Sequence, residues 1–186
     1  MSRFDFRPTP LSGLMVAQRK PIEDSRGFFA RFFCVDDFRQ VGFTKPIVQI
    51  NHTLTRKKGA VRGLHFQRPP HGETKVVSCL KGDIFDVAVD LRRGSPTFLR
   101  WHGEVLSAEN GKSLLIPEGF AHGFQALTDD CGLLYLHTTL FHPEAEDALN
   151  VNDPQLAIVW PLAMTELSER DRAHSFIGAD FEGLTI

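Results

Sequence analysis

The stretch Phe85-Asp86-Val87-Ala88-Val89-Asp90-Leu91 alternates large apolar side chains with small or acidic ones over its whole length. Successive side chains of a β-strand point to opposite faces, so a period of two indicates a strand with one apolar face and one polar face. We therefore predict a half-buried antiparallel strand here, with Asp86 and Asp90 on its polar face. This strand indicates a β protein.

Similar short runs lie on both sides of this strand. They cover residues 47–54, 60–66, 74–80, 98–106, 112–116, 121–127 and 132–140. Turn-forming sequences such as Lys81-Gly82-Asp83 and Glu109-Asn110-Gly111 separate them. Seven or eight short strands at this spacing predict a sandwich, a jelly roll or a small barrel. A helical pattern occurs only near residues 36–41 and 168–172, where Ser168 is a candidate N-cap.

Length and composition predict a single domain that spans residues 1–186. With 42% hydrophobic and 24% charged residues, the chain is neither disordered nor fibrous. A net charge of -2 without a basic run argues against binding to nucleic acid or to an anionic membrane. The three cysteines are too few and too scattered for a disulfide framework or a cysteine-based zinc site. Because no stretch has the pattern of a signal peptide or a membrane span, we expect a soluble cytoplasmic protein.

Eight histidines in a β barrel raise the question of a metal centre, because imidazole is the commonest transition-metal ligand. The segment from Gly111 to His122 resembles the second half of the cupin signature, which delivers a histidine into the barrel mouth. In the first half, counting back from Gly82 puts Lys75 at the glutamate position and His71 at the second histidine position. An ammonium there repels a divalent cation, so we expect no metal. Surface or hydrogen-bonded roles are expected for His52, His102, His137, His142 and His174.

Three side chains suit acid–base chemistry in a metal-free barrel, namely His65, Lys75 and Tyr135, the only tyrosine of the chain. Arg62 lies three residues before His65, with Gly63 between them. A glycine offers a bend in the strand, but the alternation alone leaves open whether Arg62 and His65 share a cavity.

A set of motifs occurs in order over most of the chain. They are Gly59-Ala60-Val61-Arg62-Gly63-Leu64-His65-Phe66-Gln67, Lys75, Asp86-Val87-x-Val89-Asp90-Leu91-Arg92, Ser95-Pro96-Thr97, Ile116-Pro117-x-Gly119-Phe120-Ala121-His122-Gly123-Phe124, Asp153-Pro154 and Trp160-Pro161. Together they resemble the dTDP-4-dehydrorhamnose 3,5-epimerase family from about Arg26 to Asp171.

The resemblance implies an all-β, cupin-like jelly roll, also called a double-stranded β-helix, with short peripheral helices. It implies a homodimer without metal or other cofactor. The expected substrate is a nucleotide-diphosphate sugar of the 4-keto-6-deoxyhexose type. Such enzymes serve dTDP-L-rhamnose biosynthesis, and hence the synthesis of carbohydrates such as lipopolysaccharide.

The resemblance also implies catalytic roles. The hydrogens on C3 and C5 of a 4-keto sugar are acidified by the carbonyl, so inversion needs a base, an acid opposite it and a positive group at the ketone oxygen. His65 matches the base of the family, and Asp171 matches the carboxylate that orients it. Lys75 matches the residue that stabilises the enolate oxygen, and Tyr135 matches the acid on the opposite face.

The remaining matches concern substrate binding. Arginine suits phosphate oxygens because its guanidinium is a planar fork of donors. The family positions for the nucleotide diphosphate and the sugar correspond to Arg26, Phe29, Gln49, Asn51, Arg62 and His122.

Three positions depart from the family pattern. Arg31 stands where the family usually has a glutamate near the nucleotide, which leaves the identity of the base open. Phe141 stands where a second tyrosine is common, which leaves open whether one centre or both are inverted. Val151 stands where the family usually has a tryptophan, a difference that we expect to affect packing. The alternatives are a single-centre epimerase of another nucleotide sugar, a metal-binding cupin enzyme, and an inactive sugar-nucleotide binding protein.

Overall fold

The computed structural model describes residues 2–186. Within them lie thirteen strands and two short helices. The strands are β1 Phe4–Pro8, β2 Met15–Arg19, β3 Ile22–Asp24, β4 Gly27–Phe29, β5 Gln49–Thr55, β6 Val61–Gln67, β7 Lys75–Lys81, β8 Asp83–Asp90, β9 Trp101–Ser107, β10 Lys112–Ile116, β11 Phe120–Ala126, β12 Cys131–His137 and β13 Glu146–Ala148, and the helices are α1 Val35–Arg39 and α2 Glu169–Ala173. None of the helices in residues 2–186 is long and apolar enough to cross a membrane.

Two antiparallel sheets form the body of the molecule. One has six strands in the order β1-β2-β10-β7-β12-β5, and the other has five in the order β13-β6-β11-β8-β9. Their inner faces pack on each other, since Val77 and Leu114 of the first sheet join Ile84 and Phe124 of the second in one buried cluster. The predicted all-β class is confirmed. A separate hairpin of β3 and β4 pairs only with itself.

The prediction that Asp86 and Asp90 lie on the polar face of a half-buried strand is wrong. Asp86 and Asp90 are both fully buried, because they point into the space between the sheets on the same side as Ala88. The apolar residues of the opposite side, including Val87 and Val89, are covered by the C-terminal part of the chain. β8 is thus buried on both faces, and its acidic residues find polar partners inside the protein.

Strand number and boundaries also differ from the expectation of seven or eight strands. The runs predicted from the sequence do not include β1 to β4 or β13. These strands are mostly short or lie at the edges of the sheets. The predicted run 98–106 begins as a strand only at Trp101, because Leu99 has a φ of 59° within a turn. The second helix lies as predicted, and Ser168 caps it by accepting a hydrogen bond from the Asp171 amide at 3.0 Å.

A β-bulge in β6 decides which side chains face the inside. His65 lies opposite His122 of β11, but Phe124, two residues later on β11, lies opposite Arg62, three residues earlier on β6. The extra residue on β6 puts Arg62 and His65 on the same side of the sheet. Gly63 makes this possible, since its φ is 135° and an added Cβ would lie 2.5 Å from the Cα of Gly123.

Candidate active site

A cavity of about 400 Å³ opens between the two sheets. We call it the central cavity. Most of the side chains that line it are polar, and many are titratable. The lining residues are Gln49, Asn51, Thr53, Arg62, His65, Gln67, Glu73, Lys75, His122, Phe124, Tyr135, His137, Phe141 and Glu146.

The three residues expected to carry acid–base chemistry come from both walls of this cavity. His65 lies on β6 of the five-stranded sheet, whereas Lys75 on β7 and Tyr135 on β12 belong to the six-stranded sheet. An imidazole on one wall therefore faces an ammonium and a phenol on the other.

His65 is oriented by a buried carboxylate. Its Nε2 lies 2.8 Å from Oδ1 of Asp171, whose side chain is 4% exposed. Burial alone would raise the pKa of Asp171, but the interactions with His65, together with hydrogen bonds to the Gly63 amide and Ser168, outweigh burial and lower the pKa below its ordinary value. An ionised Asp171 accepts the Nε2 proton, so the lone pair of neutral His65 is on Nδ1.

Lys75 belongs to a buried ionic network. Its Nζ lies 2.7 Å from Oε1 of Glu73, and Nδ1 of His137 lies 2.6 Å from Oε2 of the same carboxylate. Burial would raise the pKa of Glu73, but Lys75 and His137 outweigh it and lower the pKa to about 2. Glu73 is thus an anion that holds the Lys75 ammonium against the cavity wall.

Tyr135 shares the cavity with a second histidine and carboxylate pair. Nε2 of His122 lies 2.7 Å from Oδ1 of the fully buried Asp86, and the rings of His122 and Tyr135 meet edge to face at 6.0 Å. Burial raises the pKa of the Tyr135 phenol, and the charge of Asp86 adds to the effect. The phenol therefore stays protonated near neutral pH.

A basic groove adjoins the central cavity. Arg62 and His65 line both, and the groove is further lined by Arg56, Arg170 and Arg172. We call this groove, with its four arginines, the arginine groove. The guanidinium of Arg170 lies 3.3 Å from Nε2 of His65 and 3.0 Å from Oε2 of Glu146 at the cavity edge. The groove can hold an anionic group next to the cavity.

The expected binding residues fall into two groups. Gln49, Asn51, Arg62 and His122 all line the central cavity. Arg26 and Phe29 lie elsewhere, on the exposed β3–β4 hairpin, where Arg26 pairs with Asp24 at 2.6 Å.

Several cavity residues were not expected from the sequence. Glu73 and His137 are the most important, and each lies two positions from an expected residue, Lys75 or Tyr135. The period of two in a strand places such neighbours on the same face, so this signal was available for His137. Glu146 and Arg170 carry no comparable signal, because β13 and α2 approach the cavity only in the folded chain.

The two histidines of the cupin signature do not share a site. His71 lies in the turn after β6 and its ring is 3.8 Å from that of His142, whereas His122 pairs with Asp86 inside the cavity. Lys75, at the cupin glutamate position, is held by Glu73. A metal centre built on His71 and His122 does not fit this arrangement.

Comparisons with known proteins cover nearly the whole chain. A family model described as dTDP-4-dehydrorhamnose 3,5-epimerase matches residues 8–178. A dTDP-4-dehydrorhamnose 3,5-epimerase of Methanothermobacter thermautotrophicus is 43% identical over 176 residues, which are 92% of this chain and 94% of that protein.

Solved structures of epimerases share the fold of this chain. The dTDP-6-deoxy-D-glucose-3,5-epimerase of Legionella pneumophila, in complex with dTDP-4-keto-L-rhamnose, has a TM-score of 0.91 at 39% identity, covering 98% of this chain and 99% of that chain. A 3′-monoepimerase of Streptomyces bikiniensis, in complex with dTDP-quinovose, has a TM-score of 0.83 at 34% identity, covering 91% and 86%. The predicted cupin-like jelly roll is confirmed by these similarities.

Proposed function

This chain belongs to the dTDP-4-dehydrorhamnose 3,5-epimerase family, and from that premise we propose that its central cavity is the place of epimerisation. The protein is an isomerase-class enzyme that acts on a nucleotide-linked 4-keto-6-deoxyhexose in the dTDP-rhamnose pathway. One observation supports the location most strongly. The imidazole of His65 on one sheet faces the ammonium of Lys75 and the phenol of Tyr135 on the other.

In the proposed reaction, neutral His65 takes the proton from the carbon next to the ketone. The electron pair of the broken C–H bond forms the C=C bond of the enolate, and the negative charge moves to the ketone oxygen. The Lys75 ammonium stabilises that oxygen. Asp171 stabilises the imidazolium that forms, as a carboxylate does for any general-base histidine.

Reprotonation completes the inversion. The Tyr135 hydroxyl gives its proton to the carbon from the face opposite His65, and the enolate collapses to the ketone. Burial raises the pKa of Tyr135, so the phenol yields its proton only to a strong base such as an enolate carbon. Proton exchange with water then returns His65 and Tyr135 to their starting states.

The arginine groove is proposed to bind the diphosphate of the substrate. It shares Arg62 and His65 with the central cavity, so a phosphate held there leaves the sugar beside the base. Gln49, Asn51 and His122 supply hydrogen-bonding groups for the sugar hydroxyls inside the cavity. This arrangement fits a nucleotide-diphosphate sugar better than a free sugar, because a free sugar offers no anion to the arginines of the groove.

We also propose a homodimer in which the β3–β4 hairpin of one protomer completes the site of its partner. The hairpin pairs with neither sheet, and Ile22, Phe28 and Phe29 expose 47%, 72% and 61% of their surface. Large apolar side chains grouped in this way are typical of an interface. In this proposal Arg26 and Phe29 bind substrate in the partner's cavity, where Arg31 at the end of the hairpin faces the nucleotide.

A second candidate function is a single-centre epimerase. Phe141 lines the central cavity at a position where the family commonly has a tyrosine hydroxyl, so one possible proton donor is missing. A 3′-monoepimerase shares the fold at a TM-score of 0.83. The two candidates share the base and the cavity. They differ in the number of carbons whose hydrogen exchanges with solvent.

The test is solvent deuterium incorporation by the purified enzyme, followed by NMR and mass spectrometry, with thymidine- and guanosine-linked 4-keto-6-deoxy sugars. We expect deuterium at C3 and C5 of the thymidine-linked substrate, whereas label at C3 alone identifies the single-centre enzyme. Binding without exchange for every substrate would indicate an inactive binding protein. Exchange that disappears on chelation and returns with added metal would favour the metal-dependent cupin.

A further inference from the structure

Three metal-ligating side chains meet on the surface outside the central cavity. His71, His142 and Glu144 each offer a ligand atom, and these atoms lie within 4.8 Å of one another. The two imidazole rings are 3.8 Å apart with planes inclined by 31°, and Nδ1 of His142 lies 3.1 Å from Oε1 of Glu144. The proposed epimerisation uses none of these side chains.

The backbone beneath both histidines is held by one buried residue. Gln67, only 6% exposed, donates its amide hydrogens to the carbonyls of His71 at 3.1 Å and Leu140 at 3.2 Å. Its carbonyl oxygen accepts the amide hydrogen of His142 at 2.6 Å. The turn after β6 and the turn after β12 are thereby fixed side by side, so the two imidazoles are brought together before any ligand binds.

We propose that His71, His142 and Glu144 form a binding site for a divalent first-row transition ion such as Zn²⁺ or Ni²⁺. Two imidazole nitrogens and one carboxylate oxygen are a donor set these ions favour. Bonds of about 2.0–2.2 Å draw tetrahedral ligands closer together than 4.8 Å, which rotation of partly exposed side chains allows. Water fills the remaining coordination positions.

The charge of the cluster supports the same ligand. Glu144 adds a carboxylate to the two imidazoles, and its Oε1 already lies 3.1 Å from Nδ1 of His142. The carboxylate oxygen and one nitrogen of each histidine lie within 4.8 Å of one another. A metal ion between them replaces these contacts with coordinate bonds.

Bound metal would also brace the rim of the central cavity. Phe141 lies between Leu140 and His142, lines the cavity, and donates its amide hydrogen to Oε1 of Gln49 at 3.1 Å. An ion that joins His71 to His142 ties this segment to the turn after β6. Because only the folded chain presents the three ligands together, the ion raises the thermal midpoint as its free concentration rises.

The test uses untagged full-length protein treated with a chelator and then titrated with ZnCl₂ and with NiCl₂ in a calorimeter. We expect one equivalent of binding and a rise in the thermal midpoint that EDTA reverses. His71→Ala and His142→Ala should each weaken binding by more than the roughly 10–100-fold cost of losing an outer-shell partner. His52→Ala, an exposed histidine on β5, is the matched control and should bind as the wild type does.

A third variant guards against misfolding. Glu144 has an exposed side chain, so Glu144→Gln should melt like the wild type without metal and yet bind metal more weakly. Affinity should also fall as the solution is acidified, because the ligands must lose their protons to bind. The proposal is overturned if no metal binds, or if one equivalent binds equally well to both histidine variants, since the ion then lies elsewhere.

Discussion

Glu73 is the residue on which the charge of the central cavity depends most. Its carboxylate contacts both Lys75 and His137, and these contacts outweigh the effect of burial and lower its pKa from 4.5 to about 2. A lowered pKa means that the folded state prefers the ionised form. The resulting stabilisation is fully present above pH 4.5 and is lost as the pH falls through about 2.

Glu73→Gln should therefore lower the free energy of unfolding at neutral pH, by about 3 kcal/mol, because it leaves a buried ammonium without its counter-charge. The difference from the wild type should shrink as the pH falls from 4.5 towards about 2. Urea denaturation at a series of pH values measures it. Glu109→Gln, at an exposed position, is the matched control. A difference that stays constant across this pH range would contradict the ionised role.

In the proposed mechanism, Asp171 acts on the reaction through His65. Asp171→Asn keeps the shape of the side chain and the backbone contact with Ser168, but it removes the negative charge that fixes and stabilises the imidazole. We expect kcat/KM to fall by about 10²–10⁴-fold. Asp180→Asn, an exposed carboxylate in the same C-terminal region, should retain full activity. Full activity of both variants would remove Asp171 from the mechanism.

At the scale of single elements, the bulge in β6 determines the site. A regular strand would send Arg62 and His65 to opposite faces, whereas the extra residue brings both to the central cavity. The sequence signals this only through Gly63, and a glycine in a strand is compatible with a bend in several directions. The shared cavity of Arg62 and His65 therefore could not be predicted from the alternation.

Gly63→Ala should be much more costly than the same change at another glycine with positive φ. At Gly63 the added Cβ would lie 2.5 Å from the Cα of Gly123, whereas at Gly94, with φ of 74°, nothing lies within 4 Å. We expect Gly94→Ala to cost about 1–2 kcal/mol, the usual penalty of the left-handed conformation. Gly63→Ala should cost more by several kcal/mol or fail to fold. Equal unfolding midpoints for both variants would show that the close approach is unimportant.

The alternating pattern predicted the strands better than their surroundings. It located β8, but it misjudged Asp86 and Asp90, because the C-terminal chain covers the outer face of the strand. The alternation predicts that the two faces of a strand differ. Only the whole fold determines which face, if either, is exposed to water. The acidic residues of β8 proved to be partners of His122 and Arg92 in the interior.

At the scale of the whole molecule, the site depends on distant segments. The family resemblance identified His65, Lys75, Tyr135 and Asp171 as a group, and the structure brings the first three to one cavity with Asp171 hydrogen-bonded to His65. Local pattern could not supply this, because β6, β7, β12 and α2 meet only after the sheets pack. For the same reason, the local pattern could not predict that Glu146 and Arg170 lie at the cavity.

The proposed dimer predicts complementation between two inactive proteins. Arg26→Ala damages the hairpin and His65→Ala damages the cavity, so each homodimer should be impaired. In a mixed dimer, the intact cavity of the Arg26→Ala protomer receives the intact hairpin of the His65→Ala protomer. Refolding the two proteins together should give more activity than the sum of the separate proteins. An activity equal to that sum would mean that the hairpin does not act across protomers.

In the proposed mechanism, His65 removes the proton and Tyr135 returns one from the other side of the ring. The most direct measurement follows deuterium uptake and inversion separately, in wild type, His65→Ala and Tyr135→Phe, with a thymidine-linked 4-keto-6-deoxy sugar in deuterated buffer. We expect His65→Ala to lose both deuterium uptake and inversion. Tyr135→Phe should still exchange deuterium through His65, while inversion falls by about 10²–10⁴-fold. Unchanged deuterium uptake in His65→Ala would show that another group removes the proton.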